Sequence, residues 1–177
     1  MKILGIDPGT TRTGYGLIEK DRGVKLLACG LIDGEGVGKE NRLSHLEKGI
    51  QALINTHKPD LVCLERLFFS KNKKTASSVS EARGVILLVL QKSGVDFVEF
   101  SPSEVKSAVA GDGGAGKRDV LRAVMSRFFS NILSLVWTLL LPAMSSKGRF
   151  HNHLTIWSSR KKFFFKIVTL AVAKTMV

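Results

Sequence analysis

The stretch GIDPGTTRTGYGLI, residues 5–18, decides how this chain folds. An apolar run leads into Asp7, a turn rich in glycine and threonine follows, and a second apolar run begins at residue 14. This pattern predicts two short strands, 2–6 and 14–18, separated by the turn. Asp7 could hold a metal, the turn could hold a phosphate, or the segment could be an ordinary hairpin.

The rest of the first 126 residues continues as alternating strands and helices. Apolar spacing predicts strands at 24–32, 60–65 and 96–100 and helices at 41–57 and 77–91, with Pro59 ending the first helix. The run Ser101-Pro102-Ser103-Glu104 predicts a helix start with a capping box, and another helix is expected near Lys117. This order predicts an α/β layer with an antiparallel hairpin edge and helices on its faces.

The charge of the chain is unevenly distributed. The formal net charge is +12, which favours a polyanionic partner such as nucleic acid. Residues 1–119 hold 18 basic and 15 acidic side chains, whereas residues 120–177 hold 9 basic side chains and no acidic one. We therefore expect a domain over 1–126 and an atypical basic and hydrophobic tail over 127–177.

The cysteines and the N-terminus indicate a cytoplasmic protein. Cys29 and Cys63 lie in apolar strand-like runs, which is typical of buried thiols in a reducing compartment. Asp7, Pro8 and Gly9 interrupt any signal-peptide core. The apolar runs of the tail are too short or too interrupted for a membrane span, so no membrane partner is expected.

Two carboxylates are candidate metal ligands. Asp7 and Glu65 each end a predicted strand, at the edge where parallel sheets place their active groups. If the two strands are neighbours, the carboxylates converge and favour a divalent cation such as Mg²⁺ or Mn²⁺. Such a pair supports two-metal hydrolysis. The alternative is that both are strand-end acids facing solvent.

Two further segments indicate nucleic-acid contacts. The run LFFSKNKKTASS, residues 67–78, places aromatic rings that can stack on unpaired bases beside lysines that can neutralise phosphates. A basic loop with two core phenylalanines is the alternative. The run GDGGAGKR, residues 111–118, resembles a phosphate loop, but Arg118 replaces the Mg²⁺-binding hydroxyl and no strand precedes it. A glycine-rich connector that presents Lys117 to a phosphate backbone fits better.

Together, GIDPGTTRTGYGLI, DLVCLERLFFSKN, EARGVILLVL and FSPSEVKSAVAGDGGAGKRDV resemble the RuvC family of Holliday junction resolvases over residues 1–126. The resemblance implies a ribonuclease-H-like fold with a five-stranded mixed sheet, antiparallel edge hairpins and helices on both faces. It also implies a homodimer that makes paired symmetric nicks in four-way junction DNA with Mg²⁺, for which Mn²⁺ can substitute. The implied partner is the RuvA–RuvB branch-migration complex.

The resemblance assigns roles to individual residues. Asp7 and Glu65 match the first two metal-binding catalytic acids, and Phe68 matches the aromatic that stacks on a base near the crossover. Lys106 and Lys117 match the lysines near the scissile backbone. The expected DNA-binding residues are Phe68, Lys71, Lys73, Lys74 and Arg118.

The chain departs from the family after Asp119, its last acidic residue. The family completes its site with acids from a C-terminal helix, so we expect this chain to bind junctions more readily than it cuts them. We hypothesise a frameshift near residues 125–130. Trp137-Thr138 must be encoded TGG-ACN, which contains the Asp codon GAC in another frame, and the following Leu-Leu can then become Ala-Ala.

Two alternative functions come from other classes of protein. Nucleotide-dependent proteins of the actin, Hsp70 and sugar-kinase type also open with an acid followed by Gly-Thr-Thr, but they need a second such domain. A non-catalytic junction-binding protein is the other alternative, because it would tolerate the loss of the C-terminal acids.

Overall fold

The computed structural model of the protein describes residues 1–9, 11–66, 73–116, 118–120, 122–123 and 126. Its elements, in chain order, are β1 (Lys2–Asp7), β2 (Arg12–Lys20), β3 (Val24–Asp33), a short 3-10 helix (Lys39–Asn41), α1 (Arg42–His57), β4 (Leu61–Glu65), α2 (Lys73–Ser93), β5 (Phe97–Phe100) and α3 (Pro102–Ala110). Residues 118–120 have helical backbone, where the sequence predicts a helix start.

The five strands form one mixed sheet in the order β3-β2-β1-β4-β5. Strands β1, β2 and β3 form an antiparallel meander, whereas β4 lies parallel to β1 and β5 lies parallel to β4. The predicted mixed sheet with an antiparallel edge is therefore confirmed. The largest boundary error is at the start of α2, because residues 73–76 belong to the helix rather than to a loop that extends to residue 78. Strand β2 is also longer than predicted and spans Arg12–Lys20 rather than 14–18.

One face of the sheet packs against α1 and α2. Alternate residues of the central strands point to this face, and each is almost fully buried: Leu4, Ile6, Leu17, Val62 and Leu64. Helix α1 contributes Ile50 to the same core, and α2 contributes Ile86 and Leu90. Burying a side chain of this size stabilises the fold by about 1.5–3 kcal/mol, so this layer is the main hydrophobic core.

The opposite face of the sheet is also buried. Ile3 and Ile18, which are paired across β1 and β2, have no exposed surface. Helix α3 follows β5 directly and buries Val105 and Val109. The structure thus confirms a five-stranded mixed sheet with packed helices.

Helix α3 begins with the predicted capping box. The Ser101 hydroxyl accepts a hydrogen bond from the Glu104 backbone N–H at 3.2 Å, and the Glu104 carboxylate accepts one from the Ser101 backbone N–H at 2.6 Å. Pro102 occupies the first turn, where its missing N–H has no helical partner to lose. This arrangement fixes the direction in which the chain leaves β5.

The predicted tail, residues 127–177, lies outside the described residues, so its character stays a prediction. In the part of the chain that the structure describes, no helix is long and apolar enough to cross a membrane.

Candidate active site

Asp7 and Glu65 end two neighbouring parallel strands at the same level. The register pairs Ile6 of β1 with Leu64 of β4, so the next residue of each strand is a carboxylate. Neighbouring strands are about 4.8 Å apart. The sequence prediction that these two acids share one edge of the sheet agrees with this placement.

Both acids also belong to the same face of the sheet. Ile6 and Leu64 point toward α1 and α2, so Asp7 and Glu65, one residue further along, belong to the opposite face. Asp7 is only 6% exposed, and Glu65 is partly buried. Gly14 lies opposite Asp7 on β2 and adds no side chain to that side of the carboxylate.

This pair of carboxylates fits a hard divalent cation. Mg²⁺ is commonly bound through one or two carboxylates together with substrate phosphates, and it keeps several waters. Across residues 1–9, 11–66 and 73–116 and the few described beyond, no group of three or more Asp, Glu, His or Cys is placed to hold a metal. Asp7 and Glu65 are the pair of acids that the register of β1 and β4 brings to one end of the sheet.

The turn after Asp7 is closed by its own hydrogen bonds. The Thr13 hydroxyl donates to the Gly9 carbonyl at 3.1 Å and accepts from the Gly9 N–H at 3.4 Å. A Cβ on Gly9 would lie 2.1 Å from the Arg12 carbonyl oxygen, so only glycine fits there. Because the Gly9 N–H is used within the turn, this geometry does not favour the phosphate-holding interpretation.

The predicted lysines and the aromatic residue are only partly described. Lys106 lies on α3, half-buried, and Arg118 is exposed in the helical segment 118–120. Lys73 and Lys74 lie in the first turn of α2. Phe68, Lys71 and Lys117 lie outside the described residues, and the roles of all of these residues stay predictions.

The glycine-rich loop 111–116 returns to the start of α3. A Cβ on Gly113 would lie 3.3 Å from the Ser103 carbonyl oxygen, which places the loop beside the first turn of that helix. The Gly114 N–H donates to Asp112 at 2.8 Å. A helix rather than a strand precedes this loop, which agrees with the rejection of a nucleotide-binding phosphate loop.

Sequence reasoning missed two electrostatic interactions near this end of the sheet, Arg66 with Glu104 and Arg83 with Glu99. The exposed Arg66 follows Glu65 directly, and its backbone N–H donates to the Phe100 carbonyl at 2.8 Å. The hydrogen bonds from Ser101 hold the pKa of Glu104 below its usual range, and the Arg66 guanidinium adds a smaller effect in the same direction. The sequence offered one sign of a role for Arg66, namely that it directly follows Glu65.

The second missed contact joins α2 to the edge strand. The Arg83 guanidinium donates from Nε to the Glu99 carboxylate at 3.0 Å, and from a terminal nitrogen at 2.5 Å. Both side chains are mostly buried. The pair holds α2 against β5, the strand next to the one that carries Glu65.

Comparison with known proteins identifies the family. A family model described as crossover junction endodeoxyribonuclease RuvC matches residues 3–134. The chain belongs to the RuvC family. Membership in this family favours the nuclease interpretation over the actin, Hsp70 and sugar-kinase alternative.

Relatives of known sequence agree with this assignment. A RuvC from Chloroflexus aggregans is 45% identical over 126 residues, covering 70% of this chain and 77% of the relative. A RuvC from one strain of Prochlorococcus marinus is 46% identical over 128 residues, covering 71% of this chain and 82% of the relative.

The solved structures are similar in fold at lower identity. Thermus thermophilus RuvC in complex with a Holliday junction substrate matches with a TM-score of 0.74 and 21% identity, covering 99% of this chain and 93% of that one. The yeast mitochondrial Holliday junction resolvase Ydc2 matches with a TM-score of 0.63 and 14% identity, covering 97% and 76%. These similarities confirm the predicted ribonuclease-H-like fold.

Proposed function

We propose that this protein is a structure-specific endonuclease of the RuvC type, which acts on four-way DNA junctions in recombination and repair. The observation that carries the proposal is the alignment of Asp7 and Glu65 at one edge of the sheet. Relatives that are 45% and 44% identical are named crossover junction endodeoxyribonucleases.

We propose Mg²⁺ as the cofactor, with Mn²⁺ as a substitute. RuvC-family nucleases depend on divalent metal ions. When bound, such an ion supplies positive charge that polarises the phosphodiester and makes water a better nucleophile. Asp7 and Glu65 would hold it, because their oxygens are the hard ligands that Mg²⁺ and Mn²⁺ prefer.

The chain's basic and aromatic residues bind and orient the DNA in this proposal. Lys106 and Lys117 neutralise the phosphate that carries the scissile bond, and Phe68 stacks on a base at the crossover. The flanking backbone is bound through charge by the remaining cationic residues, Lys71, Lys73, Lys74 and Arg118. Junction affinity therefore falls as the salt concentration rises.

We propose that two copies of the chain act together, with one site for each of two symmetric nicks. The outer face of α2 supports this proposal. Leu88 is 48% exposed there, and Gly84, one turn earlier, has open space where a Cβ would lie. An exposed glycine costs a helix about 1 kcal/mol relative to alanine, and close approach of a second helix would explain its presence.

The remaining parts of the proposal rest on family membership. We propose the RuvA–RuvB branch-migration complex as the partner that delivers the junction. We propose the cytoplasm as the location, and it is compatible with Cys29 and Cys63, which are not joined in a disulfide.

Cleavage by this chain is expected to be weak. No acidic residue follows Asp119, so residues 120–177 cannot supply the C-terminal acids that the family uses. The frameshift hypothesis is supported by the family match, which ends at residue 134 of 177. Sequencing codons 120–150 tests it, and a shifted frame without a family-like helix would contradict it.

The experiment that tests the function compares a synthetic four-way junction with a linear duplex of the same sequence. We expect tighter binding of the junction in a gel-shift titration, with affinity falling steeply between low and physiological salt. In a nicking assay with Mg²⁺ or Mn²⁺ we expect slow, paired, symmetric cuts. Equal affinity for duplex and junction would contradict the proposal.

A non-catalytic junction-binding protein is the second candidate, because the chain lacks the C-terminal acids. Both candidates predict junction binding, so only the nicking assay separates them. Junction-specific binding with no nicks, even with Mn²⁺ and long incubation, would favour this candidate. Rapid cleavage would instead indicate that the missing acids are dispensable.

A further inference from the structure

We propose that Thr13 is a positioning residue for the metal site. Its hydroxyl locks the turn that follows Asp7, and the locked turn holds that carboxylate in place for a divalent cation. The inference rests on the proposed function, because it assumes that Asp7 binds the metal. Thr13 itself would touch neither the metal nor the DNA.

The Thr13 hydroxyl forms hydrogen bonds with both backbone polar groups of Gly9. It donates to the Gly9 carbonyl at 3.1 Å and accepts from the Gly9 N–H at 3.4 Å. Thr13 is 1% exposed, so water does not compete freely for these bonds. The start of β2 is thereby tied to the residue that lies two positions after Asp7.

Thr13 and Asp7 belong to opposite faces of the sheet. Thr13 pairs with Ile32 of β3 and lies on the face that packs against α1. Asp7 pairs with Gly14 and belongs to the other face. The turn is therefore held from one side of the sheet, while the carboxylate lies on the other.

A second hydrogen bond ties the end of the turn to the segment after β3. The Gly34 N–H, just after β3, donates to the Thr11 carbonyl at 2.8 Å. An open depression lies between the turn and the start of α1, lined by Gly9, Thr13 and Leu46 among others.

The test uses the full chain and Mn²⁺, whose binding is followed by electron paramagnetic resonance. Thr13→Val keeps the side-chain shape and removes the hydroxyl. We expect the dissociation constant for Mn²⁺ to rise about three- to tenfold, the range set by losing one ordinary hydrogen bond. Thr13→Ser restores the hydroxyl and should bind within about twofold of the parent chain.

Amide hydrogen exchange gives a readout that does not depend on metal. Without metal, we expect Gly9 to exchange faster in Thr13→Val than in the parent chain, while amides in the centre of α1 keep their rates. Thr11→Val is the matched control, because Thr11 contacts the neighbouring segment through its backbone carbonyl. It should change neither exchange nor affinity.

The outcomes separate the inference from the proposed function. If Asp7→Asn binds Mn²⁺ as well as the parent chain does, the proposed metal site is wrong. The exchange rate of the Gly9 amide still tests whether Thr13 holds the turn. If Thr13→Val matches the parent in both measurements, the inference is wrong and the proposed function stands. A Thr13→Val chain that cannot fold also overturns it, because a positioning residue leaves the fold intact.

Discussion

Asp7 of β1 and Glu65 of β4 are aligned across two parallel strands, on the sheet face opposite α1 and α2. Their alignment follows from the register of the two apolar runs that precede them, in which Ile6 pairs with Leu64. Two carboxylates held this close repel each other unless a cation or a proton lies between them. The core register therefore places the two acids side by side, and the proposed cation site rests on this alignment.

Removing either carboxylate should remove the cation site. We expect Asp7→Asn and Glu65→Gln each to weaken Mn²⁺ binding at least tenfold, roughly the effect of losing one charged ligand from a hard-cation site. Calorimetric titration measures the affinity. Asp96→Asn, an exposed acid just before β5 at the other end of the sheet, is the matched control and should bind normally. Unchanged affinity in both site variants would place the metal elsewhere.

The capping box of α3 should be visible in stability. Replacing a serine N-cap by alanine typically costs about 1 kcal/mol, so Ser101→Ala should lower the free energy of unfolding by that amount. Urea unfolding measures it. Ser101→Thr keeps a capping hydroxyl and should lose much less; equal losses in both variants would mean that the hydroxyl does not cap the helix.

The same box predicts a pH dependence. Because hydrogen bonds from Ser101 lower the pKa of Glu104, the ionised carboxylate stabilises the folded state at neutral pH. This contribution is lost as the pH falls through the lowered, folded-state pKa. We therefore expect the stability difference between the parent chain and Glu104→Gln to be full at pH 7 and to shrink below about pH 4. A difference that is constant with pH would contradict this assignment.

The elements of the fold could largely be predicted from the sequence, because strands and helices bury regular apolar patterns. Pro59 and the capping box at Ser101 marked their boundaries correctly. The start of α2 could not be predicted, because residues 73–76 carry no apolar periodicity. They are helical as the first turn of a segment that is anchored further on by Ile86 and Leu90.

Only those residues of the candidate site that end a strand could be predicted from the sequence. Asp7 and Glu65 could be paired because each ends a buried run of the sheet. The Arg83–Glu99 ion pair could not, since it depends on how α2 packs across β5. The bond from Thr13 to Gly9 depends on the shape of one turn, which the residue types alone do not specify.

The Arg83–Glu99 pair should stabilise the contact between α2 and β5. Removing one partner leaves a partly buried charge, so Arg83→Met should cost about 1–3 kcal/mol of unfolding free energy. Arg83→Lys keeps the charge but loses the planar, two-nitrogen geometry and should recover only part of that loss. A double-mutant cycle with Glu99→Gln measures the coupling, and a coupling free energy near zero would show that the two side chains act independently.

The outer face of α2 should be required for dimerisation. Leu88 is 48% exposed beside Gly84, so a glutamate at this position would introduce two buried charges into a symmetric interface. We expect Leu88→Glu to shift the sedimentation coefficient from dimer to monomer and to weaken junction binding. Leu43→Glu, at the start of α1, is the matched control, because Leu43 is 37% exposed and lies on another helix. Both variants should keep the circular dichroism spectrum of the parent chain. A Leu88→Glu chain that still sediments as a dimer would show that the interface lies elsewhere.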